Sequence, residues 1–139
     1  MKKYEFTSET LLKIGITFKR IKRISDGELG GFLEKEENLS HYGNAWVSGN
    51  AWVFGNAKVS GNAEVCGHAL VSGNAEVSGD AKVFGDAGVS GKAEVSGNAR
   101  VFGNAWVSGN AEVFCGKIKS SQDFVTFFWR SILFNINNI

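Results

Sequence analysis

The side chains in this sequence best suited to chemistry are two His and two Cys. His41 and His68 lie 27 residues apart, the first in a non-repeating leader and the second inside a repeat. Zinc catalysis needs three protein ligands and an open coordination position, and two His do not supply that set. Cys66 stands two residues before His68 and two after Glu64, an order that raises a Cys–His nucleophile pair. Such a pair works only if thiol and imidazole meet and a third group orients the ring. No orienting acid follows, and the spacing places the thiol outward while the imidazole sits on a bend. Cys115 lies 49 residues beyond Cys66, and Met1 to Phe6 opens no apolar run of the secretory type. Both Cys therefore read as free thiols in a reducing cytosol, and a cytoplasmic location is expected. No catalytic residue, metal site or cofactor is assigned.

The elements that position these residues follow from one periodicity. Gly recurs twelve times at a spacing of six, from Gly43 to Gly109. The units read Gly-Asn-Ala-x-Val-Ser/Phe, with Ala at every third position (Ala45 through Ala111) and Val at every fifth (Val47 through Val113). Ala and Val are two apart, so on a strand they share one side, while x and the Ser/Phe position share the other. A four-residue strand with an apolar inner face results. The Gly-Asn pair that follows supplies residues that adopt positive φ cheaply, so the chain turns every six residues. So short a strand cannot stand alone. It is satisfied when the chain coils and each strand pairs with its equivalent one coil later, about 4.8 Å along the axis.

A helix is excluded because the period of six does not match 3.6 and Val outnumbers Leu. Collagen and Pro-rich disorder are excluded by the absence of Pro, despite eighteen Gly in 139 residues. The formal charge of +1 gives no global field toward nucleic acid or an anionic membrane. The longest apolar stretch, Phe124 to Ile136, is interrupted by Thr126, Arg130, Ser131 and Asn135 and is shorter than the roughly 20 residues a spanning helix needs, so no membrane span is expected. Spacing alone leaves two coil sizes open, two units in a flattened coil or three in a triangular one. Like residues at a lag of 18, such as Phe84 with Phe102, lean toward three.

The Gly-Asn-Ala-x-Val run resembles the hexapeptide-repeat proteins, whose fold is the left-handed parallel β-helix with three hexapeptides per triangular turn. The resemblance implies an all-β solenoid of about four coils over residues 43–115, between an N-terminal cap over 1–42 and a C-terminal aromatic cap or oligomerisation tail over 116–139. The leader sharpens it. Leu29-Gly30-Gly31-Phe32-Leu33-Glu34-Lys35-Glu36-Glu37-Asn38-Leu39-Ser40, running into Gly43-Asn44-Ala45-Trp46-Val47, looks like the entry motif of solenoid proteins found in bacteria and their prophages. That likeness covers residues 1 to about 124. The segment between Ile24 and Leu29 is shorter here than in those relatives, and their longer C-terminal strands are missing.

Three units per coil sort the outward positions into three faces. The first carries Trp46, Glu64, Lys82 and Arg100, with Ser48, Cys66, Phe84 and Phe102 beside them. The second carries Trp52, Leu70, Gly88 and Trp106, with Phe54 and three Ser. The third carries Lys58, Glu76, Glu94 and Glu112 and reads as a solvated surface. Aromatics at outward positions mark contact sites. Trp46, Trp52, Phe54, Leu70, Phe84, Phe102 and Trp106, with Phe127, Phe128 and Trp129 of the tail, are therefore the interface candidates. The chain's own ends, identical subunits or a foreign partner would cover them. The resemblance implies association, because many proteins of that fold are trimers.

Residues 1–42 hold eight basic and seven acidic side chains, with an alternating stretch Thr17 to Ile24 that suits a strand with one wet face, capping the first coil. The cluster Lys19, Arg20, Lys22 and Arg23 is balanced by those acids, so nucleic acid is not the expected partner. Acyltransferases of the resembled fold use a His general base and a loop breaking the coil, and these twelve units carry no insertion. His68 instead reads as a turn residue stacked near Asn50 and Asp86. The expectation is a non-enzymatic scaffold of phage or prophage origin, a trimer or dimer, offering a rigid surface to a host protein. Beside it stand a phage-encoded inhibitor of a host or defence protein, small-ligand sequestration between subunits, and a hexapeptide-type acyltransferase.

Overall fold

In the computed structural model, residues 2–119 are described throughout, and 125–127 in their backbone. The six-residue units coil as their chemistry requires. Trp52 pairs in parallel with Leu70, Leu70 with Gly88, and Gly88 with Trp106, each eighteen residues on, so three units make one coil. The other two faces keep the same register, Trp46 to Glu64 to Lys82 to Arg100 and Lys58 to Glu76 to Glu94 to Glu112. Every repeat Ala and Val from Ala45 to Val113 is at most 1% exposed, so the interior is a stack of small apolar side chains. Backbone ladders hold the coils together, as in Cys66 N–H to Val83 O at 2.9 Å and Leu70 N–H to Ala87 O at 3.0 Å.

Three details differ from the sequence expectation. Regular strand mostly spans two residues per unit, x and Val, because the turn bends the chain on both sides. At the corners positive φ falls on Gly alone, between 60° and 73° from Gly43 to Gly109, and no corner Asn adopts it. Two corner Asn amides instead donate to the next coil, Asn56 to the Asn74 carbonyl and Asn62 to the Asp80 carboxylate, each at 3.2 Å. The solenoid also exceeds four coils, since the first face is a five-stranded sheet that ends on Lys117–Ile118 and reaches about five turns. Val125–Phe127 adds a further rung to the second face, on Trp106–Gly109.

The leader builds the N-terminal end. Strand β3 (Leu29–Leu33) lies parallel to Trp52–Val53 as the first rung of the second face, and Leu39 bridges to Val59 on the third. Gly30 and Gly31 make that approach possible, since a Cβ would meet Val47 O at 2.6 Å in one and Ala51 O at 2.8 Å in the other. Between those rungs, a 3-10 turn (Glu36–Asn38) places Asn38 with no exposure, its amide donating to Ala57 O at 2.9 Å and Gly55 O at 3.2 Å. Its carbonyl accepts from Lys35 N–H at 2.9 Å. The buried amide thus closes the end of the coil where backbone groups would otherwise lack partners.

An antiparallel hairpin, β1 (Tyr4–Lys13) and β2 (Ile16–Arg23), continues the sheet beyond β3. The alternation expected over Thr17 to Ile24 is broken. Phe18 and Ile21, three apart, are both fully buried, and Ile24 is exposed. A register shift opposite β3 between Arg20 and Lys22 turns Ile21 into the core. The hairpin turn is Ile14-Gly15, and Ile14 holds a φ of 48° with its side chain exposed. A β-branched residue is strained there, whereas Asn-Gly suits such a turn. Ile14→Asn is expected to raise stability to chemical denaturation by about 1 kcal/mol; unchanged or lower stability would show that the strain is absent.

Candidate functional site

The interface candidates fall into two groups once the hairpin is in place. Trp46 is covered: it is only 9% exposed, with the Arg23 guanidinium 4.9 Å over its ring and Tyr4 edge-on at 6.5 Å. Trp52 stacks with the buried Phe18 at 4.9 Å, and Phe18 meets Phe54 edge-on at 5.4 Å. The N-terminal hairpin therefore covers the aromatics of the first coil. Farther along, Phe84 and Phe102 stack on each other at 5.0 Å, nearly parallel. Trp106 remains 40% exposed. Its ring lies over Gly88 of the preceding coil, where a Cβ would stand 2.6 Å from it, so the missing side chain of Gly88 seats the indole. Phe127 is placed on its rung by backbone, and Phe128, Trp129 and the remaining tail lie outside the described residues.

Between the hairpin and the second face runs a groove of about 560 Å³, lined by Leu11, Phe32, Trp52 and Leu70, with Glu9, Arg20, Asn50 and His68 at its polar edge. Arg20 is held by both sides of the groove wall. Its guanidinium lies 4.5 Å over Phe32, donates to Gly30 O at 2.8 Å and stands 2.8 Å from Glu9. The Arg20 Nε–H does not point along that last contact, which is an ion pair rather than a directed hydrogen bond. The groove and the Trp106–Gly88 ledge share one face, with Leu70 between them in register. Leu70 is half-buried and carries the apolar strip from one to the other.

The residues that raised catalysis do not bond to one another. His41 stacks on Tyr4 at 4.1 Å, accepts from Lys3 N–H at Nδ1 (3.0 Å) and lies 2.6 Å from Glu36 at Nε2. With Nδ1 accepting, Nε2 carries the proton and donates it to Glu36. That hydrogen bond, assisted by Lys2, holds the Glu36 carboxyl below its usual range. Both imidazole nitrogens are thus spent on anchoring the leader. Burial pushes the Cys66 thiol up, and the neighbouring Glu64 carboxylate adds to this against Lys82. Such a thiol is a weaker nucleophile at neutral pH. His68 occupies its corner with its backbone N–H bonded to Gly85 O at 2.8 Å and its ring on the groove edge. Among the described residues no three His, Cys, Asp or Glu side chains come together as a metal set.

The basic cluster of the leader is consumed locally. Arg23 is bonded to Asp26 and Glu28, Lys22 lies 3.6 Å from Glu5, and Lys19 sits 5.1 Å over Phe6. Sequence reasoning missed Arg20, Glu9 and Phe32 as groove residues. Neither their order nor their spacing marks them, since the hairpin that brings them to the repeat is specified by contacts and not by a period.

Comparison with known proteins concerns the repeat itself. A family model described as the YdcK beta solenoid repeat matches residues 93–109, nearly one full coil and well under half of the chain. No curated protein matches the sequence. The chain thus carries a YdcK-type β-solenoid repeat on the coil that includes the exposed Trp106.

Proposed function

We propose that this chain is a non-enzymatic binding scaffold that self-associates and presents its second face, from the hairpin groove to Trp106, to a protein partner. The observation that carries this reading is the exposed Trp106 indole seated on Gly88, in line with the apolar groove, on a face stiffened by continuous inter-coil ladders. Rigid aromatic anchors beside a preformed groove suit protein recognition, because little order is lost on docking. The entry motif and repeat resemble those of bacterial and prophage solenoid proteins with the left-handed hexapeptide fold. A phage or prophage origin and a cytoplasmic site of action belong to the same reading. The anchor also suits an inhibitor seated on a host or defence protein, which would use this face in the same way.

The test is Leu70→Ser with Trp106→Ser, two outward substitutions that leave the Ala/Val interior intact. Wild-type and variant chains would be used as bait in lysate of the producing bacterium, with circular dichroism confirming the fold. Recovery of a partner by the wild type is expected to fall at least about 10-fold in the variant, as for loss of a central aromatic anchor. Equal recovery by both would remove this face from the proposal.

A further inference from the structure

We infer that the first and third faces are complementary docking surfaces for a second copy of this chain, joined by a charge zipper with parallel axes. This rests on the reading of the chain as self-associating and names the surface that performs it. Along the third face the outward residues run Lys58, Glu76, Glu94, Glu112, and along the first they run Glu64, Lys82, Arg100, Lys117. The signs are therefore +, −, −, − against −, +, +, +, opposite at all four levels, including the inverted first one.

The same columns are poorly satisfied within one chain. Parallel register stacks Glu76, Glu94 and Glu112 on successive rungs, and Lys82, Arg100 and Lys117 likewise, placing like charges one strand spacing apart. Six of the eight side chains are exposed, Lys82 and Glu112 are half-buried, and none forms an ion pair among the described residues. Opposite charge brought by another copy offsets this repulsion. Phe114, 38% exposed at the corner between the two faces, adds apolar area beside Glu112.

Geometry selects the orientation. Lys58, Glu76 and Glu94 each precede their complement by six residues, as in Glu76 to Lys82, which is a third of a coil or roughly 1.6 Å of rise, and Glu112 precedes Lys117 by five. The last level uses Lys117, brought into register by its pairing with Arg100. Long side chains span that offset when two copies lie parallel without axial slip. An antiparallel pair would set Lys58 against Lys117 and Glu64 against Glu112, and a face docked on its own equivalent would oppose like charges at all four levels if parallel and at the two central levels if antiparallel. The parallel first-on-third contact is heterologous. It closes into a ring of three or more chains or continues as a filament, and does not stop at a two-fold dimer. The aromatic second face is left outside the zipper, free for a partner.

Sedimentation velocity of the full chain tests this in two ways. Association is expected in about 0.1 M salt and its loss in about 1 M salt, where the screening length falls to about 3 Å. Glu76→Lys, Glu94→Lys and Glu112→Lys together, or Lys82→Glu, Arg100→Glu and Lys117→Glu together, should weaken association at least about 100-fold. All six combined should restore it at the native net charge of +1, which separates face pairing from gross repulsion. A wild type that stays monomeric at high concentration overturns this zipper and the self-association it rests on. Association that survives salt and either triple reversal, or that ends in a dimer, overturns the zipper and leaves self-association standing.

Discussion

Replacing Gly79 by Ala is expected to destabilise the chain by about 2 to 5 kcal/mol, far more than the same change at Gly27. Both glycines hold positive φ, +63° and +76°. An L side chain in that region costs about 1 to 2 kcal/mol by itself, and Gly27→Ala should show little more, since nothing lies within 4 Å of its added Cβ. At Gly79 the Cβ would stand 2.8 Å from Gly97 N and 3.2 Å from its carbonyl oxygen. Those atoms are backbone of the next coil, already bonded into the stack, as in Asp80 N–H to Gly97 O at 2.8 Å. They give way only by opening the inter-coil spacing, an overpacking cost of about 1 to 3 kcal/mol. Chemical denaturation of the two variants measures the difference directly. Equal losses would mean that the corner glycines serve conformation alone and not the close approach of coils.

Asn38→Leu is the second large effect, expected at about 3 kcal/mol or more. The substitution leaves Ala57 O without its partner in a buried site and Gly55 O and Lys35 N–H without theirs in part-buried ones, and an orphaned group costs about 1 to 3 kcal/mol when buried and less where water reaches it. Asn44→Ala is the control. Its amide makes one exposed contact of 3.4 Å to Asn62, so its loss should stay within about 0.5 kcal/mol. If the leader detaches instead of the whole fold opening, hydrogen exchange will show it at Ser40 N–H, which is bonded to Val59 O at 3.0 Å. Similar losses at Asn38 and Asn44 would refute the capping role.

The two effects differ in how far the sequence announced them. Gly79 was legible because it repeats: Ala81 and Val83 follow it at the spacing of every other unit, and that period requires the chain to coil while leaving open the number of units per turn. Asn38 was not. It stands in Glu36-Glu37-Asn38, a polar run with no pattern, and its burial depends on rungs that begin seventeen residues later at Gly55 and Ala57. Trp46 and Trp106 make the same point at the candidate site. Both occupy x positions and read alike, yet one lies beneath Arg23 and Tyr4 while the other stays open. The difference comes from a hairpin whose contacts are nonlocal and whose alternation is broken at Ile21. The ledge for Trp106 was in principle readable, since Gly88 is the one x position without a side chain and stands one coil before it.

Charge order along the outer columns was also present in the sequence but became meaningful only with register. Glu76, Glu94 and Glu112 look like a solvated face until Lys82, Arg100 and Lys117 are seen at matching heights on the neighbouring one. Assembly through those faces and recognition through the second face then become separable tasks on one rigid coil.

That separation is tested most directly by sedimentation velocity of the Leu70→Ser, Trp106→Ser chain in about 0.1 M salt, where charges farther apart than about 10 Å are screened. The variant is expected to sediment as the same assembly as the wild type, because its altered residues lie on the face that assembly leaves open. A wild type that assembles beside a variant that sediments as single chains would contradict it, placing self-association on the aromatic face.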